Sequence, residues 1–377
     1  MPDDLTRRLT EWRRHLHAYP EISCQEGATA AFVCARLDEM GIPFTAGVGG
    51  HGVVATLRRG VSNRAVGLRA DMDALPMVET PGRGHGSRNH GVMHACGHDG
   101  HTVSLLGAAA MLLEDTSWSG TVQCVFQPAE EGFGGAQAML DDGLLARFPM
   151  ERMFGYHNWP GLEAGVVMVH GGPVMAGAAS FDITLRGVAG HAAMPQDCAD
   201  PVQGVAQLII ALNAIVARNV DPQEAAVIST CMLKAGEAHN LIAQEAVLGG
   251  TMRAQTPGMM RFLQARVREV AEHVARGLQL SARVEIVSEV TATVNHAAEA
   301  AMAAKAAAGA GLSVRGDMRP SMAAEDFGRF LEVIPGAYAW IGNGASAGLH
   351  NEAYDFNDAI LPVAARYYAA VARAALA

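Results

Sequence analysis

Met93-His94-Ala95-Cys96-Gly97-His98-Asp99-Gly100-His101 crowds one thiol and three imidazoles into a single short stretch. Glycines 97 and 100, on either side of His98-Asp99, let the backbone turn tightly. A helix-like apolar run over 103–113 follows. A soluble domain rarely concentrates such side chains for packing alone, and Cys and His are the residues that hold zinc and similar divalent ions. Cys96 and His98 supply two ligands, and a metal site needs more. Whether others arrive depends on where the neighbouring strands end, and that decides the fold.

Outward from this loop, short apolar runs at 53–57 and 65–69 are bounded by Gly, Arg and Asn and read as strands. The second runs straight into Asp71-Met72-Asp73. Val122, Cys124 and Phe126 alternate along a strand predicted over 121–126, which ends at Gln127-Pro128-Ala129-Glu130-Glu131-Gly132. Another strand, 152–156, ends at His157. Helices are predicted at 5–19, closed by Pro20, and at 26–40, with Gly41 at the cap and Pro43 beyond it. This alternation of helix and strand predicts an α/β domain with a mostly parallel sheet. In such sheets ligands collect beyond the carboxyl ends of the strands. Asp71/Asp73, Glu130/Glu131 and His157 all lie at such ends, where the Cys96/His98 loop can join them. Singly, a His, a Cys or a pair of acids is more often core or solvated turn; their shared placement shifts that balance. Of two adjacent carboxylates, one can bind a metal while the other accepts a proton, and a dication lets both stay ionised.

From Gly177 the texture changes. Strands at 179–186, 226–233, 247–253 and 283–287 alternate with helices at 201–218 and 257–277. The order strand-helix-strand-strand-helix-strand is that of an α+β ferredoxin-like sandwich. This domain is placed at 177–290, inserted into a catalytic domain formed by 1–176 plus 291–377. The second part of the catalytic domain carries helices at 297–308 and 324–333, the latter with Glu325 and Asp326, a strand at 337–341 and a last helix from about Asn357.

Composition bounds the function. A chain of 377 residues exceeds one ordinary core. Its formal charge of -10, from 38 acids against 28 Lys and Arg, argues against nucleic-acid and anionic-membrane partners. The uncharged stretch 201–217 is interrupted by Gln203, Gln207 and Asn213, and reads as a well-buried amphipathic helix, not a membrane span. The charged N-terminus has no apolar core of a secretory signal. Cys24, Cys34, Cys96, Cys124, Cys198 and Cys231 have no paired spacing, so reduced thiols, mostly buried, and a cytoplasmic location are expected.

The stretches Arg69-Ala70-Asp71-Met72-Asp73-Ala74-Leu75-Pro76, His94-Ala95-Cys96-Gly97-His98-Asp99, Gln127-Pro128-Ala129-Glu130-Glu131, Gly190-His191-Ala192-Ala193 and His350-Asn351 resemble the amidohydrolase branch of the M20 metallopeptidase family. That branch includes hippurate hydrolases, indole-acetyl-amino-acid hydrolases and N-acyl-amino-acid deacylases. The resemblance spans nearly the whole chain, beginning at Arg14-His15-Leu16-His17. It implies two divalent ions per subunit (Zn, Mn, Ni or Co) held by Cys96, His98, Glu131, His157 and His350, with Cys96 bridging. It implies Glu130 as general base and Asp73 as the residue that orients the ligands, with a weaker supporting role for Asp71. His94 and His101 match the motif without being family ligands and read as hydrogen-bonded loop and helix-start residues. The resemblance also implies that His191 reaches a neighbouring subunit's site to donate to the oxyanion, and that Asn240 and Arg253 hold the substrate carboxylate. Arg suits that task through its planar fork. A homodimer or higher homo-oligomer through the inserted domain follows, as does a small N-acyl amino acid substrate.

Ala189, Ala243, Ala324 and Glu352 depart from residues common in the family; none is a metal ligand, so they bear on specificity more than on chemistry. Two rival readings are a metal-independent thiol amidase with Cys96 as nucleophile and a non-catalytic ligand-binding homologue.

Overall fold

The computed structural model describes residues 2–132 and 134–377. The motif loop opens the helix His98–Glu114, whose cap, Gly97, has φ 93°. A Cβ at Gly97 would lie 2.2 Å from Asn158 Oδ1, so the tight turn requires glycine. From His98 to Ala109 every residue of this helix is buried, as expected of a helix apolar nearly all round.

The helix belongs to a unit formed by Met1–Gly172, Val294–Arg319 and Asp326–Ala377. Its sheet has eight strands in the order Phe44–Val48, Gly52–Arg59, Gly120–Gln127, Ala65–Asp71, Arg152–Pro160, Gly336–Gly344, Val167–Met168, Val314–Arg315. The four central strands run parallel. Gly52–Arg59 and Val167–Met168 flank them antiparallel. Ala65–Asp71 and Gly120–Gln127 are buried almost throughout, as parallel strands covered on both faces must be. Register sets the chemistry: Asp71 pairs with Gln127, so the segments carrying Asp73 and Glu130 leave the sheet side by side. On the next strand His157 stands opposite Trp340. The C-terminal helix Leu361–Leu376 packs against His98–Glu114 and Ala297–Gly309.

The other unit comprises Pro173–Thr293 with Pro320–Glu325. It holds a four-stranded antiparallel sheet ordered Ala226–Ala235, Glu245–Ala254, Gly177–Arg186, Ser281–Val290. Numbered along the chain, that is the ferredoxin-like order 2-3-1-4. Gly177–Arg186 alternates buried and half-buried residues, the pattern of a sheet covered on one face. Helices Pro201–Asn219 and Pro257–Gly277 both start on proline, after capping by Asp200 and Thr256. Leu208, Leu212, Leu263 and Val267 from these helices meet Phe181, Ile183 and Leu248 in one core.

Three expectations need correction. The helix expected over 324–333 is a single turn, Gly328–Leu331; Asp326 spends its carboxylate on tertiary hydrogen bonds ahead of it, which overrides local propensity. Pro201–Asn219 is not well buried: it buries only the stripe Pro201, Gly204, Val205, Leu208, Leu212 and Ile215, and Ile210 is 74% exposed. It is long and apolar enough to cross a membrane by length and composition, yet that stripe at spacings of three and four lies in the unit's core. Finally, no disulfide joins any cysteine among the described residues, but only Cys96 and Cys124 are buried.

Candidate metal centre

Five stretches of chain supply the site: those carrying Asp73, Cys96 with His98, Glu130 with Glu131, His157, and His350. After Ala65–Asp71 comes Asp73, 1% exposed. Its Oδ2 accepts hydrogen bonds from Ser23 Oγ (2.6 Å) and Glu131 N (3.0 Å). Its carbonyl oxygen accepts from His98 Nδ1 at 2.8 Å. That bond fixes the His98 tautomer and leaves Nε2 aimed inward, buried and with no hydrogen-bond partner among the described residues. His157 Nδ1 donates to the Asn158 carbonyl at 2.7 Å, so its Nε2 faces Cys96 Sγ at 3.3 Å. His350 is held by its backbone: at φ 59° its N–H donates to the Ala95 carbonyl, 2.9 Å away. Its Nε2 reaches Glu131 Oε1 at 3.3 Å.

Cys96, His98 and His157 offer donor atoms within 4.8 Å of one another, and so do Cys96, Glu131 and His350. Cys96 is common to both triads, the place a bridging thiolate would occupy. Glu130 joins His98 and Glu131 in a third triad, with Glu130 Oε2 3.9 Å from His98 Nε2. Thiolate, imidazole and carboxylate together suit borderline divalent ions. The orphaned His98 Nε2 is what a metal ligand looks like when only its protein partners are counted.

Electrostatics agree with this fit. Burial opposes charge on His98, but Asp71, Asp73 and Glu131 outweigh it and push its pKa up to about 10. The pocket thus carries surplus negative charge that cations would offset. Burial and the neighbouring His101 hold His157 well below its usual pKa, in the neutral form a ligand needs. Burial works against the Asp71 charge too, but His98, Arg69 and His101 keep its carboxyl well below the usual carboxylate range.

His101 is a satisfied core residue, bonded to Asp71 Oδ1 at 2.6 Å and Asn158 Oδ1 at 2.7 Å. His94 departs from expectation: it is buried, but neither ring nitrogen has a hydrogen-bond partner among the described residues. Burial lowers its pKa to about 4, so it packs as a neutral ring.

His191, Asn240 and Arg253 lie on the other unit. His191 is exposed on a two-residue strand paired with Leu241–Ile242, and Ala192 N donates to the Asn240 carbonyl at 3.1 Å. These two therefore sit together. His191 Nδ1 accepts from Ala193 N at 3.1 Å, which leaves the proton on Nε2. Arg253 is half-buried on Glu245–Ala254, its Nη1 held by the Met252 carbonyl at 3.0 Å and by Thr251 Oγ1. Among the described residues no carboxylate pairs with it.

Sequence reasoning gave no role to Arg69 or Glu26, and noted Asp326 only within the helix expected over 324–333. Arg69, 1% exposed, donates to Gln127 Oε1 (2.7 Å), Asp71 Oδ2 (2.7 Å) and Asp326 Oδ1 (3.0 Å). Asp326 also accepts from Gln127 Nε2 at 2.8 Å and Ala136 N at 2.9 Å. This buried network brackets the turn that carries Glu130. A charge inside the apolar run of a central strand was the signal for Arg69; Glu26 and Asp326 gave none.

The model of peptidase family M20/M25/M40 matches residues 67–374. A hippurate hydrolase of Campylobacter jejuni is 38% identical over 371 residues, covering 98% of this chain and 97% of its own. An N-acetyl-L-cysteine deacetylase of Bacillus subtilis is 37% identical over 97% of this chain and 87% of its own. Among solved structures, a Bacillus subtilis protein described as a dinuclear metal binding peptidase of the M20 family superposes with a TM-score of 0.89 at 31% identity, covering 100% of this chain and 99% of its own.

Proposed function

The chain belongs to peptidase family M20/M25/M40, and from that membership we propose that it is a two-metal amidohydrolase that cleaves N-acyl amino acids into a carboxylic acid and a free amino acid. The observation that carries this reading is the meeting of Cys96, His98, Glu131, His157 and His350 in interlocking triads with Glu130 alongside. Two divalent ions held there would polarise the amide carbonyl and lower the pKa of a bound water. The thiolate and imidazole donors favour zinc, and the carboxylates also admit manganese.

The chain's own groups perform the proton transfers and the binding. Glu130 takes the proton of the attacking water and returns it to the leaving amine. Asp73 orients His98 and the Glu131 backbone at once. His191, with its proton on Nε2, reaches the site of a neighbouring subunit and donates to the oxyanion developing there. Asn240 and Arg253 receive the substrate carboxylate, and among the described residues no carboxylate competes for the Arg253 charge. A second copy docks on the ferredoxin-like unit. Its outer strand, Ala226–Ala235, supports this by exposing Met232 and Leu233 along an edge that pairs with no further strand among the described residues. Six cysteines with no disulfide among the described residues fit a reducing, cytoplasmic compartment.

The reading is tested by release of free amino acid from N-acetyl, N-benzoyl and N-indole-acetyl amino acids with several metals. Chelation is expected to abolish hydrolysis, and added zinc or manganese to restore it. Hydrolysis that survives complete metal removal would point to Cys96 acting as a nucleophile. Full metal loading with no hydrolysis across the panel would point to a binding protein.

A further inference from the structure

The residue before Glu130 is held in a conformation its type disfavours. Ala129 has φ 53°, in the left-handed region that residues with a Cβ seldom occupy. Its N–H donates to Glu26 Oε1 at 2.8 Å, and its carbonyl accepts from Gly135 N at 3.0 Å. The same Glu26 oxygen accepts from Cys24 N at 3.0 Å, so the carboxylate is fixed on its own segment before it reaches across to the turn. Glu26 is fully buried, and Oε2 has no hydrogen-bond partner among the described residues. A buried carboxylate with one oxygen spent on two backbone donors and the other on none is a poor packing element.

What the Ala129 bond controls lies immediately downstream. A rotation at residue 129 would swing the Glu130 carboxyl, whose Oε1 accepts from Asp326 N at 3.3 Å, whereas Glu131 is tied separately through its N–H to Asp73. We propose that Glu26 is a positioning residue for the general base: by accepting the Ala129 N–H it holds the left-handed turn that aims Glu130 into the site. This rests on the reading of Glu130 as the base. The role needs an acceptor, not a charge. Burial pushes the Glu26 carboxyl above its usual pKa, and Oε1 accepts in either protonation state.

The test measures kcat, KM, metal content and circular dichroism for E26A, E26Q, E26A/A129G and E130Q in the full-length, metal-loaded enzyme, with hippurate or an N-acetyl amino acid as substrate. E26A is expected to lower kcat by about tenfold or more, the scale of a slightly misaimed catalytic group, with KM and metal content unchanged. E26Q is expected to stay within about threefold of wild type, because the amide oxygen accepts where Oε1 does and the amide nitrogen falls where Oε2 has no partner. E26A/A129G is expected to recover part of the lost kcat, since glycine adopts the left-handed conformation freely. Wild-type kcat in E26A overturns the inference, as does a loss that appears in KM or metal content. E26Q as inactive as E26A overturns it too, and this arm decides alone if E26A does not fold. E130Q separates the two readings: an inactive E130Q beside a wild-type E26A removes only the role of Glu26, whereas an active E130Q removes the base itself.

Discussion

Glu130→Gln is expected to lower kcat by about 10^3-fold, the usual range for loss of a general acid–base group, while the protein keeps its fold and its metal. Gln preserves size and still offers an oxygen to Asp326 N, which donates to Glu130 Oε1 at 3.3 Å. It cannot accept a proton from water or deliver one to an amine. None of Cys96, His98, Glu131, His157 or His350 is altered, so metal measured by mass spectrometry should match wild type. Turnover near the wild-type rate at full metal occupancy would take the base role away from Glu130.

The second large effect falls on stability. Arg69→Met is expected to destabilise the protein by about 3–5 kcal/mol, the cost of breaking a buried ion pair by removing one partner. Arg69 is the cation between Asp71 and Asp326, at 2.7 Å and 3.0 Å, and all three side chains are sealed from solvent. Methionine fills much of the same space, so the loss is electrostatic rather than a cavity. Adding Asp326→Asn to Arg69→Met should therefore recover part of the stability in urea unfolding. If the double variant is weaker than Arg69→Met by the full effect of Asp326→Asn alone, the two groups do not act as a pair.

Much of this was legible in sequence because parallel sheets obey strong rules. Asp71/Asp73 and Glu130/Glu131 each follow a short apolar run, and parallel strands bring such ends to one edge; His157, expected at a strand end, lies inside the longer strand Arg152–Pro160. The ferredoxin-like order was likewise readable from alternating periods of two and near four, with Pro201 and Pro257 marking both helix starts. His350 was different: its strand, Gly336–Gly344, ends several residues earlier, and only motif resemblance pointed to it. The structure supplies the cause, the left-handed backbone tied to Ala95.

What could not be read were side chains that act on distant backbone. Glu26 bonds Ala129 across 103 positions and Asp326 bonds Ala136 across 190, and neither carries a local periodic signal. The helix expected around Asp326 failed for the same reason, because tertiary bonds took the residues that propensity assigned to it. His94 was misread in the opposite sense. A His inside a ligand-rich motif suggests a hydrogen-bonded role, yet it packs as a neutral ring among charged neighbours.

The most direct test of the account is anomalous diffraction at the absorption edge of the loaded metal. Two peaks are expected between the triads, with Cys96 Sγ in contact with both ions and His98 and His157 Nε2 turned toward them, at about 2.0–2.3 Å for zinc. A saturated crystal with a single peak, or with paired peaks that leave Cys96 and His98 uncoordinated, would contradict it.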